Sequence, residues 1–484
     1  NLSSDNYPVL SPRKRRGVYL DGGSVGPTIQ GIIEKDSLCY VRGGKFVIDK
    51  NENTAPDFNL TNTGEKTLIS MGAYVIIMPD RKYINTDPKF PNDHGEIDVE
   101  FAATGKTTFS LCKADGIDYE NIRDTAPTIT DEMRAGTEAI PLWIDTSGET
   151  HSLKMYSLSS DSWTTIATTY IKISSDGIGT GFNVGDGVQI IGSEIEDLNG
   201  YATIMAKDDD FIVIKGILDI THEQEAPISV ARRMPKMDFI IEAGNRLWGC
   251  RYGIANNGEV VNEIYASKLG DFKNWNCFAG ISTDSYVASV GTDGKFTGAI
   301  THLGYPIFFK ENYMHKVYGN YPANFQIQTT ACRGVQDGSA KSLAIVNEVL
   351  YYKARSGVCA YDGSLPQEIS AALGDMVYSK AVAGHIGNKY YISMCDVEGD
   401  YHLFVYDTLK GMWHREDSTE ALDFCNCRGD LYFIDYADNQ IKTVKGTGPV
   451  KETKVIKWEA VTGVIGTDSP DKKYISRLDV RMML

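Results

Sequence analysis

One hairpin, recurring at a nearly fixed interval, constrains this chain more than any other feature. Its clearest copy runs from Gly387 to Asp417. Lys389-Tyr390-Tyr391-Ile392-Ser393-Met394 is aromatic and β-branched, a polar break covers Asp396 to Asp400, and His402-Leu403-Phe404-Val405-Tyr406 alternates again. Asp407-Thr408 and Lys410-Gly411 supply turn chemistry before Trp413. Tyr305 to Phe309 with Met314 to Tyr318, Glu348 to Tyr352 with Gly357 to Tyr361, and Asp430 to Ile434 with Gln440 to Val444 repeat the pattern. The copies start near Gly304, Asn347, Asn388 and Asp430, about 42 residues apart, which is the spacing of propeller blades. A lone hairpin cannot bury its apolar face, so each copy needs neighbours.

Upstream, Ser37 to Arg42 turns at Gly43-Gly44 into Lys45 to Ile48, and Gly72 to Met78 turns at Pro79-Asp80 into Lys82 to Ile84. Asp238 to Ala243 precedes Asn245 to Cys250. Hairpin starts at 36, 72, 245, 304, 347, 388 and 430 predict an all-β fold, a β-propeller of about seven blades, with six to eight allowed. Arg477 to Met482 reads as a last strand that closes the ring. The expected organisation is an extended arm over 1–30, the first part of the propeller over 31–87, an inserted β-domain over 88–234 and the remaining propeller over 235–484. The insertion carries Thr-rich strands (Glu96 to Ala102, Lys106 to Leu111), a weakly helical loop from Ile117 to Gly136, and then short strands. Glycines at 177, 179, 181, 185, 187 and 192 predict a small, strongly curved OB/SH3-like barrel in its second half.

Lys and Arg number 48 against 64 Asp and Glu, a net charge of −16. An acidic protein grips nucleic acid poorly, but it can surround a strand that must slide. Arg13-Lys14-Arg15-Arg16 is the one dense basic run, read as a solvated arm or a docking strip for an acidic partner. No stretch approaches the ~20 apolar residues of a membrane helix, so no membrane anchor is expected. Nine cysteines, an odd number set mostly in strand patterns, predict buried free thiols and a reducing compartment. Cys425-Asn426-Cys427 has the wrong spacing for zinc.

The sequence nominates no catalytic, cofactor-binding or metal-ligating residue. Ala103-Thr104-Gly105-Lys106-Thr107 lacks the earlier glycine of a phosphate loop and opens no helix. His94, His151, His222, His302, His315, His385, His402 and His414 show no ligand spacing. Ser174-Ser175-Asp176-Gly177 begins an Asp-box but puts Ile178 where glycine is required. Tyr406 and Trp413 have the spacing of a kelch-type pair, whose plain reading is packing between blades.

Two stretches resemble bacteriophage tail proteins. Asn6-Tyr7-Pro8-Val9-Leu10-Ser11-Pro12-Arg13 followed by Gly17 is similar to the start of virion proteins from phages of Gram-positive hosts. Asn245-Arg246-Leu247-Trp248, Ile264-Tyr265-Ala266-Ser267 and Gly270-Asp271-Phe272 before Trp275 resemble a blade of the tail nozzle (tail tubular protein B) and tail-stabilisation group. The resemblance implies a non-enzymatic virion protein, assembled in the host bacterial cytoplasm and placed in the tail. It implies a ring of copies, often sixfold, that extends or closes the DNA channel below the portal and adaptor. The partners it implies are further copies, other tail, adaptor or portal proteins, and phage DNA passing without sequence-specific contact. A channel face rich in Asp and Glu, with the arm and the inserted domain touching neighbours, would suit that role. A secreted glycan-binding or glycoside-hydrolysing propeller and a kelch-like adaptor are the alternatives.

Overall fold

The computed structural model describes residues 1–21, 28–49, 51–52, 58–166, 170–218, 221–255, 258–453, 455–460, 477 and 479–482. Each predicted hairpin start falls at or just before the second strand of an antiparallel sheet, and of these seven sheets six have four strands and the last has five. Sheet 1 is Ile29–Lys35, Ser37–Arg42, Lys45–Ile48 and Asn51–Glu52. Sheet 2 is Thr67–Met71, Tyr74–Met78, Lys82–Asn85 and His94–Glu96. Sheet 3 is Phe239–Ala243, Arg246–Ile254, Val260–Ala266 and Tyr286–Ser289. Sheet 4 is Gly298–His302, Tyr305–Lys310, Tyr313–Tyr318 and Gln326–Ala331. Sheet 5 is Ala344–Val346, Val349–Lys353, Val358–Tyr361 and Gln367–Glu368. Sheet 6 is Ser379–Ile386, Lys389–Cys395, Tyr401–Asp407 and Met412–Asp417. Sheet 7 is Ala421–Cys427, Asp430–Asp435 and Gln440–Thr443, with its fourth place taken by Gly17–Asp21 and a short fifth strand at Val450–Lys451.

The turn into the second strand is tight. Leu303-Gly304 and Arg428-Gly429 both hold two successive positive φ values, the geometry that matches the twist of a two-residue hairpin. The apolar faces then meet in pairs. Val41 and Phe46 of sheet 1 pack on Val75 and Ile77 of sheet 2, and Met71 and Ile76 of sheet 2 pack with Leu247 of sheet 3. The series continues through Trp248 with Phe308, Phe309 with Tyr352, Tyr351 with Tyr390, and Leu403 with Phe433. Ile32 and Tyr40 of sheet 1 finally share a cluster with Tyr432 and Ile434 of sheet 7, so the series returns to its start. The cluster between sheets 6 and 7 alone contains seven buried side chains. At roughly 1.5–3 kcal/mol each, their burial matches the whole net stability of a typical domain, so no sheet stands alone.

Closure comes from the N-terminus. Gly17–Asp21 pairs antiparallel with Gln440–Thr443. The segment read as an extended arm is therefore bound to its own chain, with Arg13 and Arg16 buried. Of the C-terminal strand expected at 477–482, residue 478 lies outside the described residues, and Met482 forms a single parallel bridge to Leu10.

The insertion holds eight strands in the order Val99–Ala102, Ser229–Arg232, Gly187–Ile191, Gly200–Asp208, Phe211–Lys215, Tyr170–Ser174, Thr107–Leu111, His222–Gln224. They enclose one core that includes Phe109, Ile171, Val188, Ile204 and Val230. The small closed barrel expected here is not found. Among the described residues the edge strands Val99–Ala102 and His222–Gln224 do not pair, and two strands come from the first half of the insertion. The incoming and outgoing strands pair with each other, which leaves the incoming strand at an edge. Four residues link Val99–Ala102 to Thr107–Leu111 near the other end of the order, so the open sheet must curl strongly. A smaller sheet of Asn121–Arg123, Trp143–Asp145, Ser152–Ser157 and Ser162–Thr165 adds Ile144 and Leu153 to the same core.

Candidate functional site

Where the first strands of the sheets converge they leave a cavity of about 550 Å³. Ile32, Leu68, Phe239, Ile240, Ala299 and Phe424 supply apolar wall from sheets 1, 2, 3, 4 and 7. Lys341, in the 3-10 turn Ala340–Ser342 before sheet 5, is its central polar group. The Lys341 ammonium donates to Glu65 at 3.0 Å and to the Leu422 carbonyl at 2.8 Å, with Asp423 3.6 Å away. Burial works against the Lys341 charge, but Asp423 and Glu65 more than offset it and hold its pKa above the usual lysine value. Burial also pushes the Asp423 carboxyl above the ordinary carboxylate range, against the pull of Lys341. A sphere of the cavity's volume is about 10 Å across.

The insertion is fixed to the rest of the chain by a polar seam, half-buried at Arg81 and Asp98 and buried at Asp186, Arg232 and Asn274. Arg81 donates to Asp98 at 2.6 Å and to the Met234 carbonyl at 3.0 Å, while Met234 N–H donates to Asp98 at 2.7 Å, clasping the incoming and outgoing segments together. Asp186 pairs with Arg232 and accepts from the Asn274 amide at 2.9 Å. Asn274 in turn accepts from Gly187 N–H at 2.8 Å. A Cβ at Gly187 would meet the Asn276 carbonyl oxygen at 2.7 Å, so this approach requires glycine. The stretch whose sequence resembles a tail-protein blade builds this dock. Arg246 is fully buried and donates to the carbonyls of Ser267, Ser282 and Asp284, and Trp275 donates to the Phe272 carbonyl at 2.9 Å.

Around this seam lies an exposed apolar surface. Tyr201 of the insertion, 58% exposed, has its ring centroid 6.4 Å from that of Phe278, which is 51% exposed. Val287 on the outer strand of sheet 3 and Ile281 and Tyr321 beside it extend the patch, and two surface depressions share Phe278 and Val287. The insertion also carries nearly all the net charge. Residues 88–234, the expected insertion together with the last strand of sheet 2 at His94–Glu96, hold 11 Lys and Arg against 25 Asp and Glu, a net of −14, leaving 37 against 39, or −2, for the rest. Hairpin counting gave no access to the patch, because exposure at an outer strand has no period of its own.

The residues singled out in the sequence scatter through the structure. Arg13 pairs with Glu452 at 2.8 Å and Asp417 at 3.2 Å, and Arg16 pairs with Glu416 and Asp417. Half of the basic run thus docks on the chain's own acids. Cys425 and Cys427 share the core between sheets 1 and 7, and all nine cysteines are free thiols. Burial pushes the Cys39 thiol up to about 12. Gly105 lies in the turn between two strands, and Lys106 is ion-paired with Glu223. Ser174 to Gly177 lies within the insertion, where Gly177 N–H donates to Asp210 at 2.8 Å. His315 accepts or donates to Thr292 and Thr329, each at 2.9 Å, and burial lowers its pKa to about 4. His402 contacts Asp396 at 2.7 Å. No group of side chains able to hold a metal occurs among the described residues. Tyr406 and Trp413 are direct cross-strand partners with rings 5.0 Å apart, and Trp413 donates to the Ile369 carbonyl beyond sheet 5 at 2.9 Å, so the pair packs one sheet on the next. No described helix is long and apolar enough to cross a membrane.

No protein-family profile matches the chain, and no curated protein does. Among solved structures, Sqt1 of Saccharomyces cerevisiae is similar at 10% identity with a TM-score of 0.34, covering 89% of this chain and 98% of that one. The extracellular domain of BT4673 from B. thetaiotaomicron is similar at 9% identity with a TM-score of 0.22, covering 88% of this chain and 65% of that one. Neither likeness is close enough to bear on function.

Proposed function

We propose that the chain is a seven-bladed β-propeller serving as a structural protein of a bacteriophage tail, its copies forming a ring that extends or closes the DNA channel. The cyclic series of inter-sheet cores, closed by a strand from the other end of the chain, supports the propeller. The observation that carries the role is the exposed Tyr201–Phe278–Val287 surface beside the docked insertion. Large exposed apolar patches mark protein contacts, and this one spans a rigid seam suited to a fixed neighbour. The side-chain-lined cavity where the sheets converge, about 550 Å³, favours a conduit between copies over one through a single chain. The charge concentrated in the insertion would let DNA pass without adhering. Buried free thiols suit assembly in the reducing host cytoplasm, before incorporation into the virion.

Native mass spectrometry of the full chain tests this reading. A defined multiple of 53.4 kDa is expected, falling to the single-chain mass in Y201S/F278S with unchanged thermal unfolding. A monomer at every concentration would count against it.

A glycan-binding or glycoside-hydrolysing propeller is the second reading. It is favoured by one observation, the Asp423 carboxyl raised by burial at an axial cavity, the setting of a general acid. Turnover of aryl glycosides that is lost in D423N would favour it over the tail reading.

A further inference from the structure

The N-terminal segment and sheets 6 and 7 enclose a second cavity of about 300 Å³ whose chemistry is the opposite of the axial one. Four lysines line it: Lys14 from the basic run, Lys389 at the start of the second strand of sheet 6, Lys410 after its third strand, and Lys445 beyond Gln440–Thr443. Four ammonium groups around one small space are unexpected in a chain of net charge −16. Three carboxylates also line the space, and each has a cation already. Asp5 pairs with Lys389 at 2.6 Å, Asp407 lies 3.7 Å from Lys410, and Glu416 is taken from behind by Arg16.

That leaves Lys14 and Lys445 without a carboxylate partner among the described residues. Lys14 and Lys445 are exposed and form no ion pair among the described residues; Lys445 donates to the Gly429 carbonyl at 2.9 Å, and the Lys14 charge acts on Asp5 only through space. A lysine ammonium acts as a point charge and suits a compact oxyanion, whereas bidentate recognition of an extended planar acid calls for arginine. The frame around them is firm. Ser4 donates to Asp407 at 2.6 Å, and Lys410 donates to the Ser4 carbonyl, so the N-terminal wall is held to sheet 6 from both sides.

We propose that this cavity binds a small multivalent oxyanion of the phosphate class, bridging Lys14 of the N-terminal segment to Lys445 of sheet 7. The site is independent of the tail reading. Because one wall is the segment that completes sheet 7, occupancy would stabilise the closed ring. It would do so by mass action, since a chain with sheet 7 open lacks half the site.

Calorimetric titration of the full chain with inorganic pyrophosphate is the test, alongside the thermal midpoint. One site per chain is expected, with a midpoint raised by a few degrees at saturation and affinity at least about tenfold weaker in K14A/K445A. Both substituted residues are exposed, so the unliganded variant is expected to unfold at the parent's temperature. A heat signal of equal size in K14A/K445A would overturn the proposal. So would a midpoint shift reproduced by sodium chloride at matched ionic strength.

Discussion

The seven-sheet body and the insertion are both β-structure, yet they are held together by different means. In the body every sheet gives one face to each neighbour, and the cycle closes only when Gly17–Asp21 joins sheet 7, more than 400 residues from its partner strand. The insertion has its own core and meets the body through polar groups, Asp98 with Arg81 and the Arg232-paired Asp186 with Asn274. The body is nearly neutral at −2 and the insertion stands at −14. The body is therefore expected to unfold as one cooperative unit, while the charge sits in the insertion and the exposed apolar patch spans the two.

Removing residues 1–21 should have the largest effect. Sheet 7 loses its fourth strand, and Glu416, Asp417 and Glu452 lose their guanidinium partners. No cooperative unfolding transition is expected by circular dichroism. Excising 99–232 and joining Asp98 to Arg233 through a short Gly-Ser linker should leave one, because Arg81 already holds Asp98 and Met234 together. If the two truncations behave alike, the contrast between the regions fails.

The R16A variant comes next. Glu416 would remain buried without its guanidinium, and half-buried Asp417 would keep only Arg13, a loss of about 3–5 kcal/mol in urea unfolding. Its pH dependence has a definite sign. Burial works against both carboxylates, but Arg16 outweighs it and holds them below the ordinary range. Their contribution is present above the unfolded carboxylate values and is lost as pH falls through the depressed folded ones. The parent's advantage over R16A should therefore shrink on acidification below about pH 4. An advantage that grows there would show that the pair is not what stabilises closure.

D186A should cost about 3 kcal/mol by leaving Arg232 buried and unpaired. Its effect should stay local, with hydrogen exchange accelerating across 185–190 and 229–232 and not in sheets 5 to 7. Smallest is W413F, which gives up the hydrogen bond to Ile369 for about 1 kcal/mol, measured by the urea midpoint, with no change in assembly.

The two regions also differ in how legible they were in the sequence. The second and third strands of each sheet alternate strongly and flank tight turns, so Tyr305–Lys310 with Tyr313–Tyr318 could be read directly. First and last strands were harder. Ile29–Lys35 is bulged between Ile29 and Gly31, and Gln326–Ala331 is a polar outer edge. Closure by Gly17–Asp21 left no local trace, because its pairing partner is set by the ring and not by neighbouring residues. In the insertion the glycine-rich bends foretold curvature but not strand order. That order depends on Val99–Ala102 meeting Ser229–Arg232 across the whole domain. The seam residues Asp186 and Asn274 look ordinary in sequence and gain their role only when the chain brings them together.

Cryo-electron microscopy of the assembled particle tests the central claim most directly. The account predicts a ring of copies in which Tyr201 and Phe278 are buried against a neighbour, each chain's axial cavity stays closed at Lys341, and the open lumen runs between copies. A solitary chain with the Tyr201–Phe278 surface in solvent, or a duplex threaded through the axis of one chain, would contradict it.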